Sequence, residues 1–288
     1  MRACPRWRAT VVVLGLWLGL SPSAAPSAQT PDITDTLRAV GAYVEHYLSR
    51  AQSIVGREKV IIQPLSSGFS GDGRPRSLLF DIRLDWAIDD GELAARVSRD
   101  WIAVDGRAPR PKDTPQCLDP RALTPEPLEF LRAERQAGFM FTAAGTTRVQ
   151  GRPARMLDYR SRTPQPVETE WKEGCVTVDL PGRLRGRVWV DVETSAVLRI
   201  DEGILGMVDI DVPRAEQRRG SASALTIERA DTSIRYRPFT FADPDETLWL
   251  PWKVDVLTVI RNSGTPRLRI SHEYSDYRRF VTGGRIVE

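Results

Sequence analysis

The chain has 288 residues, 41% of them hydrophobic and 8% aromatic, which excludes a wholly disordered protein and suits one large domain or two small ones. Lys and Arg outnumber Asp and Glu by 41 to 38, but Arg2, Arg6 and Arg8 crowd into the first eight residues. Without them the charges balance, so net charge gives no support for a nucleic-acid partner or an anionic membrane surface.

The basic start is followed by an apolar run, Ala9 to Leu20, and by the small residues Ser21 to Ala28. The run is shorter than the roughly 20 residues that span a bilayer as a helix, and the three regions together read as a Sec-type signal peptide. Residues 1–28 are therefore expected to be removed near Ala28, leaving a single β-rich domain, 29–288, in the periplasm or outside the cell. Cys4 would leave with the signal. The remaining pair, Cys117 and Cys175, is a candidate disulfide in an oxidising compartment.

Next comes an apolar stripe at steps of three and four, Ile33, Leu37, Val40, Val44, Tyr47 and Ala51, continuing to Ile54 and Val55. It predicts a helix capped by Thr30 or Asp32 and stopped by Gly56. The period then changes to two. Leu78, Phe80, Ile82, Leu84, Trp86 and Ile88 share one face of a strand whose other face carries Asp81, Arg83 and Asp85. A partner strand runs through Trp101 to Val104 and ends on the turn signal Asp105-Gly106. Thr124-Pro125-Glu126 announces a second helix that ends at Gly138. Thereafter short strands and turns alternate, with Gln150-Gly151 and Glu193-Thr194-Ser195 among the turns, and strands over 183–192, 196–201, 224–230, 233–239, 249–261 and 266–274. Strands joined by turn-length links predict an α+β, β-dominated fold: a large curved antiparallel sheet, an incomplete barrel, with two helices on its concave face.

No catalytic constellation stands out. The Gly68 to Gly73 loop has Asp72 where a nucleophile elbow needs glycine, and it matches no phosphate loop. Two histidines, His46 and His272, are too few and too isolated for a triad or a zinc site. Asp81 with Asp85, Asp209 with Asp211, and the acids of 243–246 are the carboxylate candidates, yet such pairs are common on wet surfaces. No metal site and no cofactor site is therefore expected. Aromatic residues are the remaining clue: an apolar lining of Phe80, Ile82, Leu84 and Trp86 suits a lipid or other hydrophobic ligand. Trp189 instead shares a polar strand face with Arg185 and Arg187, where it can stack on arginine or line a mouth.

The phrases Gly186-Arg-Val-Trp-Val-Asp-Val-Glu-Thr-Ser-Ala-Val-Leu-Arg-Ile200 and Tyr274-Ser-Asp-Tyr-Arg-Arg-Phe280, with the leading helix and the turn at 104–107, resemble uncharacterised exported proteins of soil-type bacteria such as acidobacteria. More distantly the chain looks like the outer-membrane lipoprotein carriers of the LolA/LolB type. That resemblance implies an incomplete antiparallel barrel plugged by helices, and a carrier or binding module for a lipid or lipoprotein ligand. The alternatives are a carboxylate-based extracytoplasmic hydrolase and a structural envelope protein that binds other proteins.

Overall fold

The computed structural model describes residues 33–51, 53–89, 92–121, 126–172, 174–217 and 222–279; the expected signal peptide lies outside them. Helix α1 (Ile33–Arg50) opens the described chain, and three strands follow: β1 (Ile54–Pro64), β2 (Arg76–Asp89) and β3 (Glu92–Val104). A short 3₁₀ helix (Glu126–Leu131) and one turn of α-helix, α2 (Ala133–Gln136), lead into β4 (Phe139–Val149) and β5 (Arg152–Ser161). Strands β6 (Glu168–Lys172) and β7 (Cys175–Asp179) form a separate hairpin. Then come β8 (Leu184–Asp191), β9 (Val197–Ile204), β10 (Val208–Asp211), β11 (Ala224–Ala242), β12 (Asp245–Arg261) and β13 (Arg267–Arg279).

The large sheet is antiparallel throughout, in the order β3-β2-β1-β13-β12-β11-β9-β8-β5-β4, with β10 added on β11. The two ends do not meet, so the barrel is incomplete, as expected. Neighbouring strands rotate by about 20° each, which over this order accumulates to roughly 180° and makes a flat sheet impossible.

Both helices lie on one face. Val40, Val44, Tyr47 and Leu48 of α1 pack with Leu128 and Leu131 of the 3₁₀ helix against Leu157, Val188, Ile200, Ile234, Leu250 and Tyr274. Two smaller clusters flank this core. One joins Val60, Ile62, Leu78, Phe80 and Ile270, and the other holds the β6–β7 hairpin, through Trp171 and Val178, against Ile204, Val208 and Ile227.

Three elements depart from expectation. The first helix stops at Arg50, and Ile54 already begins a strand, with Ser53 at φ 54° making the corner. The expected second helix is two pieces because Arg132, at φ −63° and ψ 142°, is extended. The strands expected at 224–230 and 233–239 are one strand, β11, with a bulge between Ile227 and Arg229.

The turns follow their sequence signals. Asp105 and Gly106, and Gln150 and Gly151, all take positive φ. At the β8–β9 turn Asp191 is the organiser: its Oδ1 accepts from the Glu193 and Thr194 amides at 3.0 and 2.8 Å, and Arg152 Nε donates to its Oδ2 at 2.5 Å. Burial raises the Asp191 carboxyl, but Arg152 and the turn donors outweigh it and hold the group down to about 2.

Gly186 marks the tightest strand contact. A Cβ there would stand 2.2 Å from the Asp201 carbonyl oxygen and 2.8 Å from the Tyr159 hydroxyl. Gly186→Ala therefore has to push β8 from β9, and a loss of about 1–3 kcal/mol is expected in urea unfolding. An unchanged midpoint would show that the ladder yields freely.

Candidate binding groove

Strand alternation divides the sheet into two faces of opposite character. On the helix-bearing face the packing is nearly complete. Ile82 and Leu84 border a cavity there of about 40 Å³, together with Tyr47, Leu128, Tyr236 and Tyr277. That volume is little more than the roughly 30 Å³ share of one water molecule. Burial pushes the hydroxyls of Tyr47, Tyr236 and Tyr277 well above the ordinary phenol range, so this lining is uncharged.

The open face carries a groove of about 1110 Å³. Its walls are rows of side chains aligned by register across five and more strands. One row runs Met140, Arg160, Arg185, Gly203, in that order from β4 to β9. It continues beyond the bare glycine to Asp231, whose Oδ1 lies 2.9 Å from where a Gly203 Cβ would be, and then to Leu257 and Arg269. The adjacent row runs Thr142, Asp158, Arg187, Asp201, Ser233 and Asp255.

The second row compensates its own charge. Arg187 Nε and Nη2 donate to Asp158 at 2.5 and 2.9 Å. Asp201 accepts from Arg199 at 2.8 and 2.6 Å and from the Ser233 hydroxyl at 2.7 Å. Asp255 accepts from Ser271 at 2.8 Å and lies 3.4 Å from Arg235. Asp231, in the first row, pairs with Arg229. Glu202 also borders the groove and accepts from the Tyr159 hydroxyl at 2.9 Å; burial raises its carboxyl above the ordinary range. Trp189 stands beside this row with the Arg199 guanidinium 4.7 Å and that of Arg187 6.0 Å from its ring centroid. It both stacks on arginine and lines the groove.

The other expected residues distribute as follows. Phe80 is buried in the second core cluster with Trp101 edge-on to its ring, and Ile82 and Leu84 border the small cavity; the side chain of Trp86 lies outside the described residues. Cys117 and Cys175 are joined, with Cα atoms 5.2 Å apart. Asp81, Asp209 and Asp211 are exposed on β2 and β10, strands that do not pair, and the Asp85 side chain lies outside the described residues. His46 is exposed on the flank of α1.

Besides Asp191, a second acid is buried among the described residues, and the sequence does not single it out. Glu58 on β1 is 1% exposed, and its Oε1 accepts from Arg99 Nη2 at 2.6 Å, His272 Nδ1 at 2.7 Å and the Tyr274 hydroxyl at 2.8 Å. Burial raises this carboxyl, but the His272 hydrogen bond, the Arg99 charge and the Tyr274 hydroxyl together hold it below the usual carboxylate range. The cluster belongs to the helix-bearing face and does not open on the groove.

No family model matches the chain, and no curated protein matches it. Among solved structures, a DUF1329 family protein from Desulfovibrio piger superposes with a TM-score of 0.43 at 11% identity, over 87% of this chain and 94% of that one. A domain assigned to outer-membrane lipoprotein sorting in Vibrio parahaemolyticus gives 0.37 at 13% identity, over 87% and 94%. A LolA superfamily protein from Nitrosomonas europaea gives 0.30 at 9% identity, over 88% and 97%. Scores this low carry no functional argument.

Proposed function

We propose that the protein is an exported binding or carrier module for a hydrophobic, lipid-like ligand, and that the ligand lies in the open-face groove. The observation that carries this reading is the contrast of volumes: about 1110 Å³ on the open face against about 40 Å³ beneath the helices. Sites for small organic ligands occupy about 300–1,000 Å³, which the groove can accommodate and the cavity beneath the helices cannot. Trp189, Met140 and Leu257 supply apolar surface among charged and polar neighbours. Phe80, Ile82 and Leu84 then act as core. The bridged cysteines and the charge pattern of residues 1–28 support an address outside the cytoplasm. Among the described residues no helix is long and apolar enough to cross a membrane.

Titration with N-phenyl-1-naphthylamine, an uncharged hydrophobic fluorophore, tests the reading. Saturable binding near one per chain is expected, weakened about tenfold by Trp189→Ala, the loss of one aromatic wall. Absence of saturable binding, or binding indifferent to Trp189, would overturn it.

A further inference from the structure

At one end of the groove the charges do not cancel. Arg160 on β5 and Arg185 on β8 are direct cross-strand partners, and both are exposed on the open face. Arg162 and Arg183 each stand two residues further out along the chain, just past the paired register. Like charges set directly opposite one another destabilise a sheet, so this arrangement runs against folding. None of the four has a carboxylate partner among the described residues. Arg160 Nη2 reaches only the Met140 sulfur at 3.4 Å. Arg162 Nε donates to the Ala137 carbonyl at 3.0 Å, and Arg183 Nε to the Gln165 carbonyl at 3.3 Å. Meanwhile Asp158, Asp201, Asp231 and Asp255, the aspartates bordering the groove, are each matched to a different arginine. These aspartates are matched, and Arg160 and Arg185 remain as two adjacent unmatched charges at one corner of the groove, with Arg269 at its far end.

We propose that this corner is an anion site of the phosphate class, built from Arg160 and Arg185 with Arg162 and Arg183 flanking them. Guanidinium forks suit the tetrahedral oxygens of such a group, each arginine offering two parallel donors. The inference rests on the groove being the ligand site and specifies its ligand: an apolar body along Trp189 with an anionic head at the arginine corner. A free phosphate and a phosphate-headed amphiphile share the chemistry, and the measurements separate them.

The full chain is titrated calorimetrically at low ionic strength, where exposed charges are least screened, with inorganic phosphate, dodecyl phosphate and the uncharged dodecyl maltoside. Dodecyl phosphate is expected to bind at least tenfold more tightly than the maltoside, and Arg160→Gln/Arg185→Gln to erase that preference while Arg38→Gln, remote on α1, preserves it. Without added anion the double variant is expected to melt about 1–3 °C above the parent, because two opposed charges are gone. Equal binding of the two amphiphiles, or a preference that survives the double variant, overturns the anion site and leaves the hydrophobic-ligand reading standing. Binding of inorganic phosphate with neither amphiphile bound upholds the anion site and removes the hydrophobic ligand. Failure of all three probes removes both.

Discussion

Glu58→Leu is expected to lower stability by about 3–5 kcal/mol, because it leaves Arg99 and His272 facing an apolar side chain in the core. The Arg99 side chain is 12% exposed and its other contacts are the Pro120 carbonyl, at 2.5 Å, and the face of Phe80, 5.0 Å from the ring centroid. Neither neutralises it. Glu58→Leu combined with Arg99→Met should recover much of the loss, since removing both ends of a buried pair costs far less than removing one. Urea unfolding of the two single variants and the double closes the cycle, and additive losses would show that the pair is not coupled.

The same carboxylate ties stability to pH. Glu58 titrates below its ordinary value in the folded chain, so its contribution is fully present above the unfolded glutamate value of about 4.3. It is lost as pH falls from there through the lower, folded value. Acid unfolding of the double variant should consequently be shallower than that of the parent below about pH 4. Identical acid profiles would mean that other carboxylates set the transition.

Removing the disulfide is the second large change. Cys117 and Cys175 are separated by 58 positions, for which loop-closure entropy in the unfolded chain amounts to about 4 kcal/mol. In the folded chain the bond joins two regions of different attachment. Cys117 belongs to a loop held at the β2 end by Arg76, whose Nε and Nη2 each donate to Asp119 at 2.9 Å, while Cys175 opens β7 of the separate hairpin. Cys117→Ser/Cys175→Ser is expected to melt about 10 °C lower by calorimetry, at about 2–4 °C for each kcal/mol in a chain of this size. A shift under about 2 °C would mean that the hairpin's apolar contacts with Ile204, Val208 and Ile227 suffice.

How much of this was legible depended on whether inward positions carried apolar residues. Strand β2 was plain, because Leu78, Phe80, Ile82 and Leu84 alternate with Asp81 and Arg83. Strand β1 was not, although it is equally buried. Its inward set is Ile54, Gly56, Glu58, Val60 and Ile62. Glycine stands there because the Tyr277 ring comes within 2.9 Å of the Cβ site, and glutamate because three donors from β3 and β13 converge on it. Both reasons lie far away in the chain, and locally the two residues look like a helix stop and a solvated charge. The groove was half legible. Trp189 on a polar face was a sign, but the arginine corner exists only once β5 and β8 are set in register. The apolar face of β2 reads as a lining in sequence, and the cavity that Ile82 and Leu84 border there is about 40 Å³.

The sulfur bridge also settles a question of topology. The 3₁₀ helix, α2, β4, β5 and β6 all lie between the two bridged positions, so the two short helical segments and two strands of the groove sit on a single closed covalent ring. A protease that severs the backbone once anywhere inside that ring releases no fragment. The nicked protein gains only the mass of one water, and its two pieces separate only when the sulfurs are parted.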